Sequence, residues 1–219
     1  MTKTLTAEKA KSYYDNFGSK QDKQGFYENK PLKIMLNNAN FKDANRIFEF
    51  GCGTGKFAKN LFENEISPTC TYVGQDISET MVKLANERLS SWVNRVNIKL
   101  SGSLKLKEED NNFDRFVSTY VLDLLSDAQI NEVLREAKRI LTNEGKLCLV
   151  GISKGCNIRS KVVAFGWKQL FNIKPSLVGG CRPLEILKYI KESDWDIKFN
   201  QRVSAKSIAS EILIATPNK

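Results

Sequence analysis

The chain contains no histidine. That absence removes Ser-His and Cys-His triads, every imidazole general base and the usual histidine zinc sites. Five cysteines, at 52, 70, 148, 156 and 181, form no CxxC pair and are odd in number. Neither a disulfide framework nor a metal site is therefore expected. Proline is scarce, at five, and no linker divides the chain into two composition regimes. The longest near-continuous apolar run is 147–152 (LCLVGI), far short of a membrane span. The start, MTKTLTAEKAKSYYDN, has no apolar stretch ahead of a small-residue cleavage site, so the expected location is cytoplasmic.

What is present suits a globular enzyme-sized unit. The 219 residues are 41% hydrophobic and 27% charged, enough for a buried core and too apolar for wholesale disorder. The net charge of +9 is uneven: residues 1–45 carry +3, 46–150 carry −1 and 151–219 carry +7. A basic C-terminal third fits an anionic partner (a small acid, a nucleic acid or a lipid surface) and equally a plain solvated surface.

The middle of the chain alternates strand and helix signals. Strands are expected at 46–50, 70–75, 96–100, 112–120 and 146–152, the last apolar throughout as in a strand buried on both faces. Helices are expected at 56–64, 78–90 with Ser78 as N-cap, and 127–141 with Gly145 just past its end. A further helix is expected at 184–192, then strands at 195–203 and 208–215 joined by a turn at 204–207. Strands that close in sequence pair antiparallel. The fold class is α/β: a Rossmann-like doubly wound sheet, mostly parallel, finished by a C-terminal antiparallel hairpin. A single domain over 1–219 is expected, with an N-terminal helical lid at 1–45, a cofactor-binding core at 46–152, and an acceptor-side insertion with the hairpin at 153–219.

The most informative stretch is 48–57, FEFGCGTGKF. Gly51, Gly53 and Gly55 sit between a strand and a helix, where the backbone can pass close beneath a ligand and helix N–H groups point at it. The spacing is neither the GxGxxG of dinucleotide folds nor the GK[ST] of a phosphate loop. The next strand ends at Asp76, where α/β folds hold both hydroxyls of a ribose; a helix cap is the plainer role for the same carboxylate.

Together these residues resemble the class I S-adenosylmethionine-dependent methyltransferases. Residues 49–55 match the family's E/D-x-G-x-G-x-G, and Asp76–Ile77 match its acidic ribose ligand and the apolar residue that packs on adenine. Residues 102–104 lie at its Gly-Asp-Ala turn with Ser103 in place of Asp; 112–125 resemble its fourth-strand motif, and 139–145 its R-x-L-x-x-G-G turn. The resemblance spans roughly 30–155 and is nearest the small-molecule branch that includes the ubiquinone/menaquinone-biosynthesis enzymes. It implies S-adenosyl-L-methionine as cofactor, held by Tyr14, Glu49, Gly51, Cys52, Gly53, Gly55, Asp76, Ile77, Ser103, Leu104 and Thr119. It also implies that an N-terminal segment folds over the cofactor, and that the stretch after the fifth strand builds the acceptor pocket.

Transfer of a methyl from a sulfonium needs alignment first, and a base only for a carbon or neutral hydroxyl acceptor. Tyr120 and Asp123, just past the fourth strand, are the candidates for catalysis. Tyr13, Trp167 and Arg182 are the candidates for acceptor binding, Arg182 as a two-pronged clamp on a carboxylate or phosphate. A small-molecule acceptor, an anionic one included, is the first reading. A nucleic-acid acceptor suits the basic C-terminus but lacks a [DN]-P-P-[YFW] or Pro-Cys motif. A non-catalytic cofactor-binding partner subunit and lipid work through the aromatic–basic segment 159–171 are the remaining readings. The sequence leaves the oligomeric state open.

Overall fold

The computed structural model describes residues 4–219. Seven strands form one sheet: β1 (Arg46–Phe50), β2 (Thr71–Asp76), β3 (Val96–Leu100), β4 (Phe113–Thr119), β5 (Leu141–Ile152), β6 (Trp195–Ala205) and β7 (Ile208–Pro217). Their order is β3-β2-β1-β4-β5-β7-β6. Strands β1 to β5 pair in parallel, and β7 enters antiparallel between β5 and β6. The chain winds outward from β1 to β3, then returns to β4 on β1's other side. The crevice between β1 and β4 is the topological switch point where α/β folds bind ligands.

Six helices flank the sheet: α1 (Ala7–Phe17), α2 (Gly25–Ala39), α3 (Lys56–Asn64), α4 (Glu79–Arg88), α5 (Asp127–Ile140) and α6 (Ile158–Ile173). Period-two alternation sends neighbouring strand residues to opposite layers. Phe48, Phe116, Leu147, Leu149 and Leu213 pack with Ile130, Val133 and Ala137 of α5. Ile47, Val117, Cys148, Val150 and Ile214 pack with Met35 of α2 and Ala58 and Leu61 of α3. Each fully buried Val, Leu, Ile, Phe or Met among them contributes roughly 1.5–3 kcal/mol. That two-sided burial explains the apolar run at 147–152.

Three local expectations are corrected. The expected helix at 184–192 is one 3-10 turn, Ile186–Tyr189. Its backbone is committed elsewhere: the Leu184 amide donates to the Ile152 carbonyl at 2.7 Å, and the Ile186 amide donates to the buried Glu211 carboxylate at 2.7 Å. Gly145 does not cap α5. The helix ends at Ile140, and β5 begins at once with Leu141 opposite Phe113. The ladder then slips to Arg115 opposite Lys146, so Gly145 lies in a bulge. The hairpin turn is two residues, Lys206 and Ser207, with φ of 48° and 65°. Two left-handed residues give the tight turn whose twist matches the flanking strands. The stretch after β5 holds a 16-residue helix, α6, started by a reciprocal Asn157–Ser160 cap.

Candidate functional site

The site is built first from backbone. After β1 the chain turns through Gly51, Gly53 and Gly55 with φ of 78°, 52° and 71°. Left-handed backbone favours glycine at all three. The Gly51 and Cys52 amides donate to the Gln75 carbonyl at 2.9 and 3.0 Å, tying the loop to the tip of β2. Asp76 completes the join. Its Oδ2 accepts from the Gly53 amide and its Oδ1 from the Ser78 amide, each at 2.9 Å. Burial pushes its carboxyl up, and these two amides oppose the shift. A carboxylate oxygen carries two acceptor positions, so one on each oxygen is left for a ligand.

Beside this join lies a cleft of about 130 Å³. Asp76, Ile77, Met81, Ser101, Gly102 and Leu104 line one end, and Gly51, Thr119, Tyr120 and Val121 the other. Leu5, Ala7, Ala10, Tyr14 and Gln21 close it from the N-terminal side. A second cavity of about 460 Å³, between α2 and α3, shares Gln21, Gly51, Thr119 and Tyr120 as a common wall. Its lining mixes apolar Leu32, Leu36 and Phe57 with polar Glu28, Glu49, Asn29 and Lys56. Gln21 Oε1 is buried without a hydrogen-bond partner. That orphaned acceptor on the shared wall fits a ligand carrying N–H groups. With the free positions on Asp76, the cleft offers acceptors beside the apolar Ile77–Leu104 end.

The N-terminal segment is latched over the cleft by two carboxylates. Asp15 of α1 accepts from Ser78 Oγ at 2.6 Å and the Thr80 amide at 3.3 Å. The Ser78 bond and the Lys11 ammonium hold Asp15 down at about 2. Asp22 accepts from Thr54 Oγ1 at 2.7 Å and is paired with Arg88. Burial works against its charge, yet Arg88 and Thr54 keep it below the usual range.

Tyr120 is the strained residue of the site. It adopts φ of 57°, rare for a bulky side chain, with its amide held by the Val150 carbonyl at 2.7 Å. The turn swings its ring between the two cavities and edge-on to Tyr27, with centroids 5.6 Å apart. Its hydroxyl pairs with Ser210 Oγ at 2.9 Å and so reaches β7.

The other residues singled out by sequence are spread more widely. Glu49 is buried below the loop, accepts from the Tyr72 hydroxyl and faces the second cavity; burial pushes it up to about 8. Cys52 lines that cavity too, while Gly53 and Gly55 line neither, packing against Gln21 and Ala85. Ser103 turns away: its hydroxyl donates to the Lys105 carbonyl at 2.7 Å, and Gly102 takes the wall position. Tyr14 lines the cleft, whereas Tyr13 stacks on Phe17 over an outer groove. Asp123 is fully buried outside the cleft, where its Oδ2 accepts from the Ile152 amide at 2.8 Å. Burial pushes it up to about 8. Arg182 spends Nη2 on the Leu125 carbonyl and Asp127, at 2.7 and 2.8 Å, while its buried Nε has no hydrogen-bond partner. Trp167 donates Nε1 to the Cys181 carbonyl at 3.0 Å. Gln21, Met81, Val121, Gly102 and the alanines of α1 line the cleft without having been singled out; of these Gly102 and Val121 sat inside motifs.

Comparison with known proteins agrees with this geometry. A family model described as a methyltransferase domain matches residues 47–145. Demethylmenaquinone methyltransferase of Listeria monocytogenes is 31% identical over 127 residues, which cover 58% of this chain and 49% of that protein. The chain spans about half the length of the curated relatives it matches. A geranyl diphosphate C-methyltransferase from Streptomyces coelicolor A3(2), solved with Mg2+, geranyl diphosphate and S-adenosyl-L-homocysteine, superposes with a TM-score of 0.68 at 10% identity. That match covers 87% of this chain and 79% of the other. The [4+2]-cyclase SpnF superposes with a TM-score of 0.66 at 16% identity, covering 85% and 80%. Over residues 47–145, which include the glycine loop, the chain is similar to methyltransferase domains, and it shares the fold of the solved structures.

Proposed function

We propose that the chain binds S-adenosyl-L-methionine in the β1–β4 crevice and transfers its methyl group to a small-molecule acceptor. The observation that carries this reading is the pairing of Asp76, with one acceptor position left on each oxygen, and a cleft whose far end is walled by Thr119 and Tyr120. When bound, the cofactor supplies a methyl on a cationic sulfur that a nucleophile can displace directly. Asp76 orients the ribose by two charge-assisted hydrogen bonds, and Ile77, Met81 and Leu104 cover the base. Gln21 receives N–H groups of the amino-acid part. Tyr14 and Tyr120 present aromatic rings near the reacting centre, each worth about 0.5–2 kcal/mol to a desolvated cation. Residues up to about 28 act as a lid that excludes water through the Asp15 and Asp22 latches.

Among the described residues, Asp76 is the one carboxylate lining the cleft, and Asp123 faces the Ile152 amide instead. An N, S or ionised O nucleophile needs no base. For a carbon or neutral hydroxyl acceptor, the proton falls to Glu28, which burial pushes up to about 7 and which lines the adjoining cavity with Thr119 and Tyr120. The small-molecule branch is supported by relatives whose names specify menaquinone and geranyl diphosphate chemistry. A second reading, cofactor binding without methyl transfer, is favoured by the likeness to a protein titled a cyclase.

One experiment separates the two: incubation with methyl-labelled S-adenosyl-L-methionine and a metabolite extract. Label in a small molecule, with stoichiometric release of S-adenosyl-L-homocysteine, supports methyl transfer. Tight cofactor binding with no release over repeated extracts supports the second reading, and label in tRNA or duplex DNA alone defeats the small-molecule assignment.

A further inference from the structure

Helix α6 is apolar on both sides. Its inner stripe is Ser160, Ala164, Trp167 and Phe171, at helical spacing and turned to the protein. On the opposite side lie Ile158, Val162, Phe165 and Ile173, exposed by 83%, 67%, 64% and 77%. Leu170 and, just beyond the helix, Leu177 extend the strip. A surface helix in water ordinarily puts charge there, and contiguous apolar patches of this kind mark interaction sites. Charge runs along one flank, where Lys161 and Lys168 sit one above the other. Residues 153–183 contain six Lys or Arg and no Asp or Glu.

The flank opens into a cavity of about 470 Å³ with Lys154, Lys161, Lys168 and Arg182 among apolar Ala164, Phe165, Phe171 and Pro183. Lys154 and Arg182 are paired with Glu185 and Asp127. Lys161 and Lys168 form no ion pair among the described residues. Two unneutralised ammonium groups beside exposed phenyl and branched side chains match one environment: an anionic headgroup above acyl chains. A second copy of the chain fits less well, since it would bring the same acid-free, cationic surface against itself.

We propose that α6 is a docking surface for an anionic membrane, with its outward apolar strip in the lipid interface and Lys161 and Lys168 on the headgroups. The proposal rests on the surface of α6 alone and stands whether or not the cleft transfers methyl groups. Docking there would set the bilayer behind one wall of the cleft. Trp167 of α6 bonds to the Cys181 carbonyl, and Cys181 Sγ lies 3.9 Å from the hydroxyl of the cleft residue Tyr14.

Flotation of the full chain with vesicles tests it, using phosphatidylcholine alone or with phosphatidylglycerol added to roughly a third. The wild type is expected to float with the anionic vesicles, to stay behind with the neutral ones, and to be released as salt rises. The paired change Val162→Glu and Phe165→Glu should cut the bound fraction about tenfold or more. Melting temperature and affinity for S-adenosyl-L-homocysteine should stay unchanged, because both side chains point to solvent. Lys161→Glu with Lys168→Glu should abolish the preference for anionic lipid, and it decides the matter if the apolar variant fails to fold. Wild type that floats with neither vesicle, or variants that float as well as wild type, would overturn the proposal. So would self-association lost in the apolar variant without any flotation, which assigns the face to a second copy.

Discussion

The β1–β2 end of the sheet and the β4–β5 end border the same cleft with different materials. The first is finished by backbone: the Gly51 and Cys52 amides on Gln75, and the Gly53 and Ser78 amides on Asp76. These bonds link two short loops and leave acceptor positions facing the cleft. The second end is finished by side chains reaching across the fold. Asp123 holds the Ile152 amide, Arg182 holds Leu125 and Asp127, Tyr120 holds Ser210, and Glu211 holds the Ile186 amide. Asp123 Oδ1, Ser153 Oγ and Arg182 Nε remain buried there without a partner. A backbone-built half is preorganised for one ligand whatever the side chains around it. A half built from side-chain contacts can be rebuilt residue by residue, so the proposed function assigns acceptor choice to it.

The sharpest way to break the contrast is steric. A Cβ at Gly51 would lie 2.3 Å from Val121 Cγ2, on a φ that favours glycine. Gly51→Val should lower stability by about 2–4 kcal/mol and abolish binding of S-adenosyl-L-homocysteine. Urea unfolding and calorimetry on the same preparation check both.

Acid chemistry sharpens the second half. Burial lifts Asp123 and Glu49 to about 8, far above their values in the unfolded chain, so both keep a proton in the folded state that they lose on unfolding. Between roughly pH 4 and 8 the native state binds more protons, and stability therefore falls as pH rises, by on the order of 1 kcal/mol per unit for each group. Asp15 and Glu185, both held at about 2, act the other way and lose their contribution as pH drops below about 4. Urea midpoints from pH 5 to 8 should decline in the wild type, and Asp123→Asn should flatten the slope. An unchanged slope would show that Asp123 is ionised in the native state.

How much of this was legible in the sequence follows from the same contrast. The glycine loop, Asp76 and Ile77 were readable because each sits one step past a strand, where a few consecutive residues make the geometry. The strand positions and the hairpin were readable from the alternation of strand and helix signals. Gln21, Ala7 and Ala10 were not, because only the docking of α1 and the turn after it brings them to the cleft. The misplaced helix at 184–192 has the same origin: Ile186 answers to Glu211, 25 residues away. Arg182 reads as a free clamp until Asp127 is seen beside it, and Tyr120 reads as an ordinary strand end until its left-handed backbone is seen.

Two smaller effects follow. S-adenosyl-L-homocysteine should slow amide exchange across residues 4–28, and Asp15→Ala should speed it in the free protein by releasing the Ser78 latch. Equal exchange in all three states would count against a lid. On the acceptor side, Gly166 lies inside α6 with nothing within 4 Å of an added Cβ. Gly166→Ala should raise stability by about 0.5–1 kcal/mol, a gain that urea unfolding resolves.

The central claim is that the backbone-built half holds the cofactor through Asp76. Calorimetric titration of S-adenosyl-L-homocysteine into wild type and Asp76→Ala tests it most directly, with circular dichroism confirming that the variant folds. Loss of two charge-assisted hydrogen bonds should weaken binding by about 1.5–3 kcal/mol, at least roughly tenfold. Affinity equal to wild type in a folded Asp76→Ala protein would contradict the claim and make this carboxylate no more than the cap of α4.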